Sequence, residues 1–352
     1  MSMNMQPTLT AAMVKEQAKA MGADLCGIAS MDRFEGTPKQ FDPRYIFPKA
    51  KSCIVLGFRI PRGYFRGIEE GTYFASYAGM GYGNINRIVS PLSLRYLCCY
   101  IEDFGWEAAP VPNLFLGNSV KFDTQKHAPE YSVPVREGLP NPDILVDYRV
   151  CAYLAGMGQI GYSKVFLTPE FGPFQRFVIL LTDAPLEADP IYEGKLCDRC
   201  MRCARACTGG AISMTETESI TVAGHTIEWG KLDVTKCSTA YMGAHKEYNP
   251  FLPKGIDPDK LNESGYHGYK AYGTKNWTGY GSADGNNPPI EGARGCMREC
   301  YAHLEQRGVL TRSFHNPFRE KGQKPWVITD EWRAKYEAQI KGDVIGVVEN
   351  DE

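Results

Sequence analysis

The sequence predicts an α+β protein in which a helix-and-strand core, residues 1–190, leads into a metal-binding module, residues 191–304, and a C-terminal segment, residues 305–352. Three observations predict it. Short apolar runs bounded by polar or Gly residues alternate with helical patterns as far as residue 190. From Glu193 the chain turns Gly-rich and loop-rich. Seven of the 12 cysteines then fall between Cys197 and Cys300.

The elements follow in order. A helix is expected over residues 10–21, with Thr10 as N-cap and Gly22 as its stop. Residues 24–29 (DLCGIA) and 52–58 (SCIVLGF) read as buried strands. Residues 90–104 have helical spacing and end at Gly105, and residues 106–109 form a candidate strand. Residues 177–182 (FVILLT) are the clearest strand. Residues 262–289 interleave Tyr266, Tyr269, Tyr272, Trp277 and Tyr280 with glycines. So long a stretch without periodicity reads either as a cap over a substrate or as a surface insertion. A last helix is expected over residues 330–340, then an acidic tail.

Composition narrows the class. Lys plus Arg number 39 against 41 Asp plus Glu, a formal charge of −2, so no global field draws the chain to nucleic acid or an anionic membrane. Apolar residues at 43% and charged residues at 23% describe a globular protein rather than a disordered one. No window approaches ~18 uninterrupted apolar residues, so no membrane insertion is expected. The first residues show no basic stretch, twin arginine or apolar run of an export signal, and a cytoplasmic location is expected. Cysteines in a reducing compartment point to metal before disulfides.

Their spacing points to iron and sulfur. Cys197, Cys200, Cys203 and Cys207 form C-x2-C-x2-C-x3-C, the run of bacterial ferredoxins, in which three thiolates hold one [4Fe–4S] cluster and the fourth reaches its neighbour. Structural zinc prefers two separated pairs. Cys300, the last of Cys296-x3-Cys300, supplies the remote fourth thiolate of the first cluster. Cys207, Cys237 and Cys296 remain for a second cluster. A full second motif would place another cysteine where Ala293 stands, so the second cluster is [4Fe–4S] with a borrowed ligand, [3Fe–4S], or absent. His245 and His303 are candidates for that ligand. Cys26, Cys53, Cys98, Cys99 and Cys151 sit in apolar runs and are expected to be core.

Upstream, AGMGQIG from Ala155 to Gly161, LTPEFGP from Leu167 to Pro173, Arg176 and LTDAPL from Leu181 to Leu186 lead into the cysteines and then GAIS from Gly210 to Ser213. GADLCGI from Gly22, PKAKS from Pro48, Tyr77-Ala78, Gly81-Tyr82 and FGWEA from Phe104 precede them. This series resembles the catalytic domain shared by reductive dehalogenases and epoxyqueuosine reductase. The resemblance covers residues from about 10 to 215 and resumes at Cys237 and Cys296–Cys300.

The resemblance implies a nitroreductase-like α/β core that binds cobalamin, fused to a ferredoxin-like module with two clusters that pass electrons to cobalt. It implies a small-molecule substrate, with a carbon–heteroatom bond cleaved, and a low-potential donor of ferredoxin or flavodoxin type. A tRNA-modifying reductase and a non-catalytic electron-transfer or corrinoid-binding protein are the alternatives, with no nucleic-acid partner in the leading reading. The dehalogenases pair a tyrosine with a cation, which points to Arg176 and to Tyr82, Tyr148 or Tyr153. The epoxide-reducing relatives use an aspartate, for which Asp143 and Asp147 are candidates. Gly81 and Tyr82, in GMGYGNIN from Gly79, and Gly156, Gly158 and Gly161 are candidate corrin contacts. The G-x-G-x-x-G of the latter lacks the preceding strand and the acidic residue of a dinucleotide site. None of the six histidines lies in a D-x-H-x-x-G segment, so no lower axial ligand is expected from the protein.

Overall fold

Four strands make the centre of the structure, a computed structural model that describes residues 8–74, 76–113, 122–123, 128–129, 133–142, 144–241, 247–248 and 295–341. In chain order the strands are β1 (Leu25–Ser30), β2 (Ser52–Arg59), β3 (Ala108–Val111), β4 (Phe122–Asp123), β5 (Ala128–Pro129), β6 (Gln159–Ile160), β7 (Phe166–Leu167), β8 (Gln175–Thr182), β9 (Ile212–Val222) and β10 (His225–Leu232). The main sheet runs β1-β2-β8-β3. All three of its pairings are antiparallel. The alternation of helices and strands in the sequence suggests α/β, yet with no parallel pair in this sheet the core is α+β.

The helices are α1 (Ala11–Ala20), α2 (Arg66–Glu70), α3 (Ser90–Glu102), α4 (Tyr148–Leu154), α5 (Arg202–Arg205), α6 (Val234–Tyr241), α7 (Cys296–Gln306) and α8 (Asp330–Lys341). The Thr10 hydroxyl accepts from Met13 N at 3.2 Å, so the first helix begins where its cap predicts. Between α2 and α3 runs a wide-turned helix, Tyr77–Val89, in whose last turn Ser90 N–H reaches the Ile85 carbonyl five residues back. Its glycines remove the side chains that normally enforce an i→i−4 pitch.

Alternation along the strands buries both faces of the sheet. Ile54, Leu56, Phe58, Val178 and Leu180 face one way, against α1 and α3. Cys53, Val55, Ile179 and Leu181 face the other way, against α4. The cysteine-bearing half does not stand apart from this core. Val222, Ile227 and Trp229 of the antiparallel β9–β10 ribbon complete the second face. Tyr301 and Ala302 of α7, with Phe318, complete the first. Residues 262–289, Ala293, His245 and Asp143 lie outside the described residues.

A buried ion cluster fixes α7 to the core. Arg298, fully buried, donates to Glu69 on α2, and Arg319 bonds the same carboxylate at 2.5 Å and Glu299 as well. Nε and Nη1 of Arg298 have no partner among the described residues. Burial, and then the Arg319 guanidinium, push Arg298 well below the usual arginine value. Glu69 is therefore the group that makes the buried arginine tolerable. Replacing Glu69 by Ala strands the guanidinium, and denaturant unfolding should record a loss of about 3–5 kcal/mol.

Candidate metal centre and active site

The cysteine run is shaped by two unusual backbone conformations. Arg199 and Met201 adopt φ of 55° and 61°, left-handed values that coil the chain tightly between Cys197 and Cys203. The entry to this coil is pinned by Gln159 of β6, whose Oε1 accepts from Leu196 N and Cys197 N at 3.0 and 3.1 Å. Short α5 then carries Cys203 at its start and leads to Cys207. Remote from the cysteine run in sequence but adjacent to it in space, α7 presents Cys296 and Cys300 one turn apart.

The seven thiols fall into two adjoining groups. Cys197, Cys200, Cys203 and Cys300 line one small cavity, together with Tyr162, Leu196 and Leu304. Burial pushes the Cys300 thiol well up, and Cys203, Cys197, Cys296 and Cys200 add to the rise. Cys203 is pushed up to about 11 by burial and then by Cys197 and Cys200. Cys296 is raised by burial and next by Cys237, Cys207 and Cys203, and Cys237 by burial and next by Cys207. Cys207 and Cys237 thus lie near Cys296 as a second group, which adjoins the first where Cys203, Cys207 and Cys296 pack in one cluster.

Burial and neighbouring thiols together disfavour the thiolate form at Cys203, Cys237, Cys296 and Cys300, a cost that a bound cation offsets. A metal core supplies one, and the soft donor set suits iron–sulfur chemistry. Two backbone amides point at sulfur as they do around such clusters: Tyr162 N to Cys197 Sγ at 3.4 Å and Ala211 N to Cys207 Sγ at 3.3 Å. His303 belongs beside the first group. Its Nε2 meets Asp198 Oδ2 at 2.9 Å, and ligand atoms of Asp198, Cys200 and His303 lie within 4.8 Å of one another. Of the remaining cysteines, Cys53, Cys98 and Cys151 are buried, Cys26 is half-buried and Cys99 faces out from α3.

Arg176 lies on β8, opposite Phe58, at the end of the sheet nearest the wide-turned helix. Its Nη2 donates to the Tyr77 hydroxyl at 3.0 Å, and its guanidinium rests 4.4 Å above the Tyr82 ring. The sequence reading names Tyr82 and overlooks Tyr77, although Tyr77-Ala78 stands among the motifs quoted for the resemblance. The missing signal is depth. Tyr77 is 1% exposed and Arg176 only half-buried, a contrast that residue types alone do not reveal. Tyr148 gives its hydroxyl to the Pro112 carbonyl at 2.9 Å and lies with Tyr153 against the opposite face of the sheet. Burial pushes both hydroxyls up.

Asp147 is spent locally. Its carboxylate caps α4, accepting from Arg149 N and Val150 N. The glycines also have structural work. A Cβ on Gly156, at φ +72°, would lie 2.1 Å from the Pro190 carbonyl oxygen, and one on Gly158 2.0 Å from that of Leu167. Gly161 packs on the Leu167 side chain, and Gly81 on Tyr77 and Ile60. For a corrin, one point of chemical fit stands out. Asn86 Oδ1, on the same wide-turned helix as Gly81 and Tyr82, is buried with no partner among the described residues, an acceptor suited to a peripheral amide N–H.

From Tyr77 a stack of rings leads back to α7. Tyr77 lies on Phe65 at 4.7 Å, Phe65 on Phe174 at 4.1 Å, and Phe174 on Tyr301 at 4.3 Å with the planes 6° apart. Tyr301 follows Cys300 in the chain. The Arg176 centre and the first thiol group are therefore joined by continuous aromatic packing.

No family model matches the chain. Among curated proteins it is similar to the tetrachloroethene reductive dehalogenase of Sulfurospirillum multivorans, 37% identical over 115 residues, 29% of this chain and 23% of that protein. The chain thus spans about a quarter of the length of this curated relative. Among solved structures it overlaps the catabolic reductive dehalogenase NpRdhA, with a TM-score of 0.44 and 21% identity, over 66% of this chain and 29% of that one. It also overlaps an epoxyqueuosine reductase from Bacillus subtilis, with a TM-score of 0.42 and 15% identity, over 84% of this chain and 82% of that one. The curated similarity is to a protein of one of the two groups that the motifs from Gly22 to Cys300 resemble.

Proposed function

We propose that the protein is a cobalamin- and iron–sulfur-dependent reductase that cleaves a carbon–heteroatom bond, carbon–halogen foremost, in a small molecule. The observation that carries the reading is the division of seven thiols into two adjoining groups, joined by packed rings to a buried tyrosine and its arginine. In this reading Cys197, Cys200, Cys203 and Cys300 hold one [4Fe–4S] cluster in the ferredoxin-like module. Cys207, Cys237 and Cys296 hold a second, of four irons with a further ligand or of three. A low-potential donor of ferredoxin or flavodoxin type feeds them. When bound, cobalamin supplies a strongly reducing metal for the bond-breaking step, and the nitroreductase-like core holds it near Asn86, Gly81 and Tyr82.

The overall change is two electrons and one proton for each bond: R–X becomes R–H and X⁻ leaves. The protein's own part is the proton. Arg176 Nη2 donates to Tyr77 Oη, which leaves the hydroxyl proton of Tyr77 to be given away. The same guanidinium stabilises the negative charge left on that oxygen. Tyr82, beneath the guanidinium, fixes its plane. Burial of Tyr77 excludes water from the exchange.

Anaerobic purification and reconstitution with iron, sulfide and hydroxocobalamin test the cofactor set. Metal analysis should return about one cobalt and seven to eight iron per chain, with base-off Co(II) in EPR spectra. Cys300→Ser should lower iron by about four per chain. Iron without cobalt would sink the reductase and leave an electron-transfer protein. Arg176→Gln should cut halide release from halogenated alkenes or phenols, with reduced viologen as donor, by about 100-fold at unchanged iron and cobalt content. An unchanged rate would remove Arg176 from the proton path.

A further inference from the structure

On the outer side of Tyr301, at the end of β2, opens a pocket of about 270 Å³. Phe174 and Tyr301 form stacked floor rings, and Phe171 and Phe314 are walls. Three guanidinium groups border it, but two are already answered. Arg59 pairs with Asp24 at 3.0 Å. Arg62 lies 3.7 Å above Phe314, pairs with Glu305 at 2.7 Å and donates to the Asn316 carbonyl.

Two lining charges remain. Arg312 is exposed and rests 4.7 Å above the Phe171 ring, and Glu170 is half-buried. Among the described residues neither has an ion-pair partner within 4.0 Å. The pocket thus offers one cation and one carboxylate over flat apolar faces. A plain anion would meet Glu170 and a plain cation Arg312. A zwitterion on a flat apolar body answers both, because guanidinium takes a carboxylate in a two-point contact and a carboxylate takes an ammonium. The volume, near the lower end for ligand pockets, suits one ring and its head group.

We propose that this pocket binds an aromatic α-amino acid, its carboxylate on Arg312, its ammonium on Glu170 and its ring against Phe171, Phe174 and Phe314. The site requires neither cluster nor cobalamin, so it stands or falls separately from the reductase reading.

Calorimetric titration of the full chain with L-phenylalanine, N-acetyl-L-phenylalanine and L-phenylalaninamide tests it, with iron content measured in each preparation. The free amino acid should bind saturably, and each blocked analogue should bind at least about tenfold more weakly. Arg312→Gln should weaken phenylalanine about tenfold and leave the amide unchanged, and Glu170→Gln should do the converse with the N-acetyl compound. Both side chains reach solvent, so the variants keep the fold. Equal binding of phenylalanine and either analogue, indifference to Arg312→Gln, or no saturable heat at millimolar ligand would overturn the proposal.

Discussion

Everything that the cysteines can do depends on where α7 sits, and α7 sits where Glu69 holds Arg298. The arginine lies between Cys296 and Cys300 and is wholly buried, so the helix cannot slide or turn without dragging a guanidinium away from its carboxylate. Arg319 makes the lock three-sided, bridging Glu69 and Glu299. An apolar contact in that place would tolerate a shift of a fraction of a turn. A buried ion pair does not, because its energy comes from geometry rather than from area. The register of two thiols is thereby set by a carboxylate more than 200 residues earlier in the chain.

The same end of the molecule carries the ring stack from Tyr301 to Tyr77. It runs through residues of α7, the β7–β8 connection, the turn before α2 and the wide-turned helix. Four segments remote in sequence meet in one column. Flat rings at van der Waals distance leave little room for rotation about the stack axis, so Tyr77 presents its hydroxyl to Arg176 in a fixed direction. Ion cluster and ring stack together turn the helix with the last two cysteines into part of the wall on which Arg176 and Tyr77 are mounted.

Much of this was legible in the sequence where the signal is local. The first three cysteines of the C-x2-C-x2-C-x3-C run line one cavity, and Thr10, Gly22 and Gly105 mark ends that the structure places within a few residues. Strands 52–58 and 177–182 are apolar but for Ser52 and Thr182, and each is buried on both faces. What escaped was set by distant partners. Nothing around Tyr77 tells it from Tyr82, because the difference is made by Phe65 below and Arg176 across the sheet. Asp147 reads as a catalytic candidate by position, and nothing in the sequence signals that its carboxylate also caps α4 through two backbone partners. Gly156 and Gly158 read as ligand contacts, and the sequence does not show that carbonyls of Pro190 and Leu167 already require a glycine at each. The antiparallel sheet was hidden too, since alternation of elements fixes their order and not their direction.

The scatter of the thiols along the chain has a consequence for biosynthesis. Each group takes cysteines from both the 197–207 run and α7, and the latter is drawn from near the C-terminal end of the described residues. Translation proceeds from the N-terminus, and folding follows as segments emerge. The second group is incomplete until residue 296 has left the ribosome and the first until residue 300, and the first face of the core waits longer still for Tyr301 and Phe318. The nascent chain therefore carries four closely spaced thiols that have no complete site for most of the time needed to make the rest. Completion of either thiol group is in this architecture a late event, coupled to the closing of the core, and a chain truncated before α7 would lack Tyr301 on the first face of that core.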